Sequence, residues 1–177
     1  MKLTSIIRDY DPEWPRLFAI EAEGLRPIFG DALVALHHIG STSVPGLVAK
    51  PEIDILIVVT SSEGLSEWTP RLDERGYRRG GDLSAGHHFF KRDVDGVRTH
   101  KLHVCVDGHA SISERLRFRD HLREHAEDRA AYGTLKLVLE ADNHGGIAEY
   151  IERKAPFIET IMARLADHAI GPRNRHE

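Results

Sequence analysis

The eight residues from Glu52 to Val59, with the sequence EIDILIVV, constrain the fold of this chain more than any other segment. Six of them are Ile, Leu or Val, residues that favour strands. A run of this kind, without polar alternation, is typical of a central strand that is covered on both faces. A chain of 177 residues is long enough for one sheet of this type to close a hydrophobic core, so we expect a single domain.

The charge, the length of the apolar runs and the cysteine content limit the possible partners and locations of the protein. The 24 basic and 28 acidic residues give a net charge of -4, which provides no general field for a polyanion, so a nucleic-acid partner is not expected. No apolar run approaches the roughly 18–20 residues of a membrane helix, and the N-terminal segment turns acidic and aromatic too early for a signal peptide. We therefore expect a cytoplasmic protein without a membrane partner. The single cysteine, Cys105, excludes an internal disulfide and suits a buried strand position.

The first half of the chain alternates between helical and extended patterns. Asp11 suits a helix N-cap, and apolar residues at helical spacing predict a helix from about Pro12 to Phe29. Ala32 to Ile39 is expected to be a strand, and a second helix is expected from Ser61 to about Arg75. The glycine-rich segment from Arg78 to Gly86 is expected to be a mobile loop.

The second half begins with a predicted hairpin. His87 to Asp93 and Arg98 to Val106 flank the dipeptide Asp95-Gly96, which is a strong hairpin signal. The period then becomes helical and predicts a helical C-terminal third, with a helix from Ala126 to Ala141 among others. The sequence thus predicts an α/β fold with a mixed sheet of about four or five strands, one domain over residues 1–170 and a disordered tail at 171–177.

A short turn before the central strand carries the first candidate site. Small and hydroxyl residues follow the first strand, and two carboxylates open the next one, where alternation puts both on one face. This layout resembles the nucleotidyltransferase fold, in which a glycine and hydroxyls receive phosphate and carboxylates hold Mg²⁺. The candidate phosphate ligands are Gly40, Ser41, Thr42, Ser43 and Lys50. The candidate metal ligands are Asp54 and Glu52.

A structural alternative stays open for most of these residues. The hydroxyls of the turn could satisfy nearby backbone groups, Glu52 could be solvated, and Lys50 could lie on the surface. Asp54 differs, because a carboxylate between Ile53 and Ile55 in a core strand is costly to bury unless it is paired or metal-bound.

The segment HIGSTSVPGLVAKPEIDILIVV resembles the signature of the GrpB family, small bacterial proteins that are assigned to the nucleotidyltransferase superfamily and also occur fused to dephospho-coenzyme A kinases. The similarity extends from Tyr10 to Leu165 and includes the segments FFKRD, RTHKLHV, LRFRDHLREH and YGTLK. It implies a small mixed sheet with packed helices and a pocket over the Gly-Ser turn. The chain departs from the family pattern at Glu52, where an aliphatic residue is usual, and at Lys101, where a histidine is common.

Histidines occupy the strand in which a nucleotidyltransferase usually supplies a third carboxylate as general base. His100 and His103 are three residues apart, so they should face opposite sides of a regular strand. We favour His103 as the catalytic residue, because Leu102 and Val104 would then pack in the core. It could be a general base, a metal ligand or a phosphate donor. The alternative is a buried histidine bonded to a backbone carbonyl.

Other charged residues have similar alternatives. His38 precedes the turn and has the same alternatives as His103. Arg98 could neutralise a bound anion, although a surface ion pair is the default. Four arginines of one predicted helix form a pattern of i,i+4 charge pairs that predicts a solvated helix face, and they are Arg115, Arg117, Arg119 and Arg123.

Together these features predict metal-dependent binding or transfer of a nucleotide or another phosphorylated small molecule. The cofactor would be Mg²⁺, or Mn²⁺ or Zn²⁺ if histidines are ligands. The alternative is a non-catalytic ligand-binding or regulatory module linked to coenzyme A metabolism. Convergence of Asp54, Glu52 and His103 around one cavity would favour catalysis, whereas a Glu52 or His103 directed elsewhere would favour binding.

Overall fold

The computed structural model describes the backbone of residues 5–169 and the side chains of residues 5–167. Five strands form one mixed sheet in the order β1-β2-β5-β4-β3. Strands β2 and β5 are parallel, and the other neighbouring pairs are antiparallel. The strands are β1 Leu33–Ile39, β2 Ile53–Val59, β3 Tyr77–Ser84, β4 His87–Val94 and β5 Val97–Val106. The predicted disordered tail at 171–177 lies outside the described residues.

Three helices of the described chain pack on this sheet, and the last two pack with the third to form a helical C-terminal part. They are α1 Trp14–Phe29, α2 Leu65–Glu74, α3 Ala110–Glu124, α4 Ala126–Ala141 and α5 Ile147–Ala169. Two short 3-10 turns, Gly30–Ala32 and Ser41–Ser43, precede and follow β1. The α/β prediction with four or five strands and a helical C-terminal third is confirmed. None of these helices combines the length and apolarity needed to cross a bilayer.

Strand β2 is the central strand that its sequence predicts. Its odd-numbered residues, Ile53, Ile55, Ile57 and Val59, pack in the main core with residues of α1 and α2. On the opposite face, Leu56 and Val58 pack with Cys105 and with Ile112 of α3. Every residue of β2 except Asp54 is at most 3% exposed. Asp54, near the start of β2, is therefore the one polar and partly exposed residue of an otherwise apolar, buried strand.

The hairpin between β4 and β5 forms at the predicted dipeptide. Asp95 and Gly96 have φ values of 52° and 77°, as a type I′ turn requires at both central positions. The prediction of a mobile loop over Arg78 to Gly86 is wrong, because β3 pairs there with β4. An edge strand with exposed side chains needs no apolar alternation, so its glycines and charges resembled those of a loop.

Glu21 ties α1 to the sheet. It is 7% exposed, and its two carboxylate oxygens accept hydrogen bonds from Arg92 at 3.1 and 3.0 Å, while Tyr77 donates to Oε1 at 3.1 Å. We expect Glu21→Gln to lower the free energy of unfolding by roughly 2–4 kcal/mol, because it leaves the Arg92 guanidinium without its counter-charge. Denaturant unfolding at pH 7 measures this loss.

The effect of Glu21 should also depend on pH. Burial raises its pKa, but the hydrogen bonds and charge of Arg92 outweigh burial and keep the pKa below the usual 4.5. A carboxylate with a depressed pKa stabilises the fold above its unfolded pKa and loses that contribution in acid, so the difference from wild type should shrink below about pH 4. The control is Glu13→Gln, which breaks an exposed pair with Arg16 and should cost less than about 1 kcal/mol. Equal losses in both variants would contradict this account.

Candidate functional site

The turn after β1 begins at Gly40, whose backbone has a φ of 70° and a ψ of -175°. Residues with side chains rarely adopt this conformation. A Cβ at this position would also lie 2.8 Å from Cγ of Asp54. The preceding residue, Ile39, pairs with Asp54 across β1 and β2. Glycine is therefore required here, and it leaves the backbone of the turn directly beside the Asp54 carboxylate.

Two of the three hydroxyls in the turn have internal partners. Thr42 Oγ1 donates to the carbonyl of Glu52 at 3.1 Å and lies 3.0 Å from Nε2 of His38. Ser43 Oγ donates to the carbonyl of Gly40 at 2.6 Å. In the described chain no backbone acceptor engages the amide of Ser41, and its hydroxyl is also without a partner there. Thr42 and Ser43 thus shape the turn, whereas Ser41 retains donors for a ligand.

The prediction of a solvated arginine face on α3 is confirmed for Arg117, which is exposed, but is wrong for the other three arginines. Arg119 donates to the carbonyl of His38 at 3.0 Å, and Arg123 donates twice to the carbonyl of Ser43, at 2.9 and 2.7 Å. Arg115 has a buried Nε without a hydrogen-bond partner among the described residues. Charge spacing along α3 did not reveal this, because the acceptors are backbone carbonyls 80 or more positions earlier in the chain.

Glu52 and Asp54 lie on the same side of the sheet, and both contact Lys101 of β5. Lys101 Nζ is 2.5 Å from Glu52 Oε2 and 3.6 Å from Asp54 Oδ1. The hydroxyl of Ser5 donates to the other oxygen of Glu52 at 2.7 Å. The side chains of Glu52 and Asp54 are 9% and 19% exposed. Glu52 is thus engaged at both oxygens, while Asp54 is the more accessible carboxylate.

Four lysines from four different parts of the chain surround these carboxylates. We call them the lysine cluster, and they are Lys50, Lys101, Lys136 and Lys154. Asp54 acts electrostatically on three of them and on Arg115 of α3. The cluster therefore gathers cations from the segment before β2, from β5, from α4 and from α5.

Two tyrosine rings form part of the surroundings of the cluster. Lys50 Nζ and Lys154 Nζ lie 4.8 and 5.1 Å from the ring centroid of Tyr150. Lys136 Nζ lies 5.6 Å from the ring centroid of Tyr132 and donates to the backbone carbonyl of Val48. Aromatic faces attract cations electrostatically. They help to keep the lysines in place but supply no negative charge.

Burial leaves two of the lysines short of compensating charge. Burial, followed by the charge of Lys154, lowers the pKa of Lys136 from 10.5 to about 7. Burial, followed by the charge of Lys101, lowers the pKa of Lys154 to about 8. Burial also opposes the charge of Lys101, but Asp54 and Glu52 outweigh it and raise that pKa. A bound anion would favour the charged form of all three.

Lys136 and Lys154 were not predicted as site residues, although the small number of lysines in the sequence points to them. The chain has 24 basic residues, and only six of them are lysines. Four of those six form the cluster. A lysine can lose its proton when it is buried, whereas arginine stays charged. The scarcity of lysine elsewhere in the chain therefore distinguishes these positions, whereas their spacing along each helix does not.

The histidines lie on different faces, as predicted. His100 contacts Arg92 at 2.8 Å on the α1 side, whereas His103 lies on the face of Lys101 and accepts or donates a 3.0 Å hydrogen bond with His87. Burial, followed by Arg115 and His87, lowers the pKa of His103 well below its usual value. His38 stacks on Phe18 and bonds to Thr42. His103 is thus neutral and engaged with His87.

Arg98 lies at the β4–β5 hairpin, where it forms an ion pair with Asp93.

Lys50 belongs to the lysine cluster, and burial lowers its pKa despite the opposing charge of Glu52. Of the sequence-predicted residues, Gly40 thus lies directly beside Asp54, Ser41 follows it in the turn, and Lys50 lies near Glu52. Arg98 instead has a local partner of its own.

One carboxylate beside the turn is suited to bind a divalent cation. Mg²⁺ in phosphate sites is commonly held by one or two carboxylates together with substrate phosphates. Asp54 has the exposure for this role. Glu52 fits poorly, because Lys101 and Ser5 already contact its two oxygens.

A second group of potential metal ligands consists of His87, Cys105 and His109, whose ligand atoms lie within 4.8 Å of one another. His109 Nδ1 accepts the backbone N–H of Ser111 at 3.1 Å, so Nε2 of the neutral ring carries the proton and faces Ser84 at 2.9 Å. A metal at His109 would therefore break the N-cap of α3 or remove a proton.

Comparisons with known proteins identify relatives of the whole described region. A family model described as GrpB protein matches residues 4–164. The chain is 39% identical over 159 residues to the UPF0157 protein BH1888 of Halalkalibacterium halodurans, covering 88% of this chain and 80% of that protein. It is 38% identical over 152 residues to the UPF0157 protein YqkA of Bacillus subtilis, covering 85% of this chain but 44% of YqkA. This chain thus spans less than half the length of that relative.

Two solved structures and one further relative complete the comparison. The structure of the conserved protein GrpB from Enterococcus faecalis has a TM-score of 0.83 at 34% identity and covers 90% of this chain and 96% of that one. The Cid1 poly(U) polymerase with Mg 3'-dATP bound has a TM-score of 0.54 at 13% identity over 83% of this chain and 49% of Cid1, which shows a shared fold. A dephospho-CoA kinase of Mycolicibacterium paratuberculosis is 28% identical over 90% of this chain and 45% of its own length.

Proposed function

The chain belongs to the GrpB family and has the fold of nucleotidyltransferases, and from that premise we propose that it binds the phosphate groups of a nucleotide or a similar phosphorylated small molecule. The ligand would contact the lysine cluster and the Ser41 end of the turn. The observation that carries this proposal is the crowding of one buried lysine, Lys136, and three half-buried lysines around Asp54 and Glu52. Two of these lysines have pKa values lowered to about 7 and about 8.

The physical reason is the balance of charge. Glu52 is neutralised by Lys101 at 2.5 Å, which leaves Asp54 as the main counter-charge for Lys136 and Lys154. Buried cations without enough anions are costly. A phosphate tail supplies several negative charges and acceptor oxygens. It would therefore compensate the lysine charges and form charge-assisted hydrogen bonds with them. Charge complementarity thus favours a polyanionic ligand.

A divalent cation would enter this site with the phosphates. Asp54 would hold it, and the cation would neutralise part of the phosphate charge. Ser41 and the lysines would orient the phosphate oxygens around it. Because Lys101 already lies between the two carboxylates, only Asp54 is assigned to the metal in this proposal.

Binding without nucleotidyl transfer accounts best for the remaining residues. Transfer needs a general base at the acceptor. His103 is bonded to His87 instead, and the residue of β5 that pairs with Asp54 is Lys101, which is not a carboxylate. The relative named dephospho-CoA kinase makes a phosphorylated coenzyme A precursor one ligand to test. The proposed role is that of a ligand-binding module.

The first experiment is a thermal-shift screen with ATP, inorganic tripolyphosphate and dephospho-coenzyme A, each with and without Mg²⁺. A ligand at about 100 times its dissociation constant should stabilise the protein by roughly 2.7 kcal/mol. We expect Asp54→Asn to lose the Mg²⁺-dependent part of the shift. The metal-free shift with tripolyphosphate should persist or grow, because the variant removes a negative charge beside the lysines.

The matched control is Asp95→Asn in the β4–β5 turn, which removes the same charge from a residue outside the cluster and should behave as wild type. Failure of every phosphorylated ligand to shift the wild-type protein would contradict the proposal. An Mg²⁺ effect that is the same in Asp54→Asn would contradict the assignment of the metal to Asp54. Pyrophosphate release from ATP by wild type but not by Asp54→Asn would replace simple binding with nucleotidyl transfer.

A further inference from the structure

A serine, a histidine and an aspartate form a hydrogen-bonded chain at the opposite end of β2 from the lysine cluster. Ser62 follows β2, His88 lies on β4 and Asp82 lies on β3. The hydroxyl of Ser62 is 2.8 Å from His88 Nε2, and His88 Nδ1 is 2.8 Å from Asp82 Oδ1. From this geometry we propose a second site, in which Ser62 is a nucleophile toward small carboxylic esters, His88 is its general base and Asp82 positions His88.

The partners of His88 determine where its protons lie. An ionised carboxylate can only accept, so Nδ1 of the neutral ring carries the hydrogen that is donated to Asp82. In this neutral tautomer Nε2 carries no hydrogen, so it can accept from the hydroxyl of Ser62. The hydrogen bond from His88 is the main cause that keeps the pKa of Asp82 below its usual value, and Arg79, 2.6 Å from the same oxygen, adds to it. This is the protonation pattern that activates a serine.

The pairing of β3 with β4 places Asp82 and His88 beside each other. They are direct cross-strand partners on β3 and β4, and the register shifts on both sides of this pair. Bulges of this kind re-aim side chains and recur beside active sites. His88 is 6% exposed, so its ring orientation is fixed by packing as well as by its two hydrogen bonds. Asp82 therefore acts on Ser62 through a rigid intermediate.

Ser62 opens onto a surface cleft of about 540 Å³. Leu65 and Pro70 supply apolar lining, Ser66 and Thr69 also border the cleft, and Glu63 and Arg79 add one charge of each sign. This mixed lining suits a small ester with a short acyl chain. A substrate can thus reach the hydroxyl without a rearrangement of the core.

The first turn of α2 supplies the donors that an acyl-transfer site needs. The amides of Leu65, Glu67 and Trp68 bond to the carbonyls of Ser62 and Gly64. In the described chain no comparable backbone bond engages the amide of Ser66. Unpaired amides at a helix start stabilise negative charge. The amide of Ser66, at the edge of the cleft, is therefore the donor assigned to the oxyanion that forms when an ester carbonyl is attacked.

The reaction is balanced with water as the only co-reactant. Ser62 Oγ bonds to the ester carbonyl carbon while its proton passes to His88 Nε2. The tetrahedral adduct then breaks its bond to the alcohol oxygen, which takes that proton from His88. Water attacks the acyl-serine with His88 again as base, and the products are a carboxylic acid, an alcohol and free Ser62.

The test combines a covalent probe with a model ester. Diisopropyl fluorophosphate should modify wild-type protein once, and peptide mapping should place the adduct on Ser62. With p-nitrophenyl acetate we expect Ser62→Ala and His88→Gln to lower kcat/KM by about 100-fold or more. Asp82→Asn should lower kcat with little change in KM, because Asp82 positions the base without contacting substrate.

Ser61→Ala is the matched control, since it removes the neighbouring hydroxyl and should retain both labelling and hydrolysis. Retained hydrolysis in Ser62→Ala would overturn the proposal, as would an adduct on another residue or no adduct on wild type. The labelling result does not require any variant to fold. It is also independent of nucleotide binding, because the two sites lie at opposite ends of β2 and on opposite faces of the sheet.

Discussion

Lys136→Met is expected to weaken binding of ATP with Mg²⁺ by at least about tenfold while making the free protein more stable. Lys136 is 3% exposed, and its pKa falls from 10.5 to about 7. Charged contacts to phosphate contribute roughly 1.5–3 kcal/mol, so their loss accounts for the weaker binding. Methionine has a similar shape and no charge, so the cost of burying an ammonium group disappears.

The gain in stability should depend on pH in a defined direction. The unfolded chain holds the Lys136 proton up to about pH 10.5, whereas the folded chain releases it near pH 7. Wild-type stability therefore rises with pH between these values. The advantage of Lys136→Met should be largest below pH 7, on the order of 1–3 kcal/mol after the lost hydrogen bond to Val48, and should be gone by about pH 10, where the cost of that lost hydrogen bond outweighs the small remaining charge cost.

Denaturant unfolding at pH 6 and pH 9, together with calorimetric titration of ATP and Mg²⁺, measures both effects. The control is Arg16→Met, which removes a cation from an exposed pair with Glu13 and should leave affinity unchanged. A variant that binds as tightly as wild type would show that Lys136 does not contact the ligand. A variant that is destabilised at pH 6 would show that the buried charge is already compensated within the protein.

Gly40→Ala is expected to abolish ligand binding and to destabilise the fold by roughly 2–4 kcal/mol. A side chain at a φ of 70° and a ψ of -175° costs about 1–3 kcal/mol in backbone strain. The added Cβ would also lie 2.8 Å from Asp54 Cγ. Relief of that contact must displace either the turn or the carboxylate, and both belong to the proposed site.

Gly108→Ala separates the two effects of this substitution. Gly108 has a φ of 82°, and a Cβ there would meet nothing within 4 Å. It should therefore show backbone strain with normal affinity. Thermal unfolding and titration with tripolyphosphate compare the two variants. Normal binding by Gly40→Ala would place the ligand away from the turn.

The parts of the fold that could be predicted are those in which the sequence itself carries the cause. Strand β2 needs apolar residues on both faces, and the β4–β5 turn needs positive φ at Asp95 and Gly96. The edge strand β3 could not be predicted, because its stability comes from the β4 backbone rather than from its own side chains. Hydrogen bonds of that kind leave no pattern in the paired sequence.

The candidate site divides in the same way. Asp54 could be identified because a carboxylate in an apolar strand demands an explanation, and Gly40 could be identified from its place in the turn. Lys136 and Lys154 could not be identified from their helices, because a single lysine on α4 or α5 resembles any solvated residue. Only the tertiary packing brings them to Asp54.

The most direct test of the lysine cluster is the number of protons taken up when ATP with Mg²⁺ binds at pH 8. Calorimetric titration in two buffers of different ionisation enthalpy measures that number. Lys136 and half of Lys154 are neutral in the free protein at this pH, so charging both lysines should take up about 1.5 protons per ligand, and Lys136→Met should lower this uptake to about 0.5. Equal heats in the two buffers would contradict the account, because the lysines would then not change charge when the anion binds.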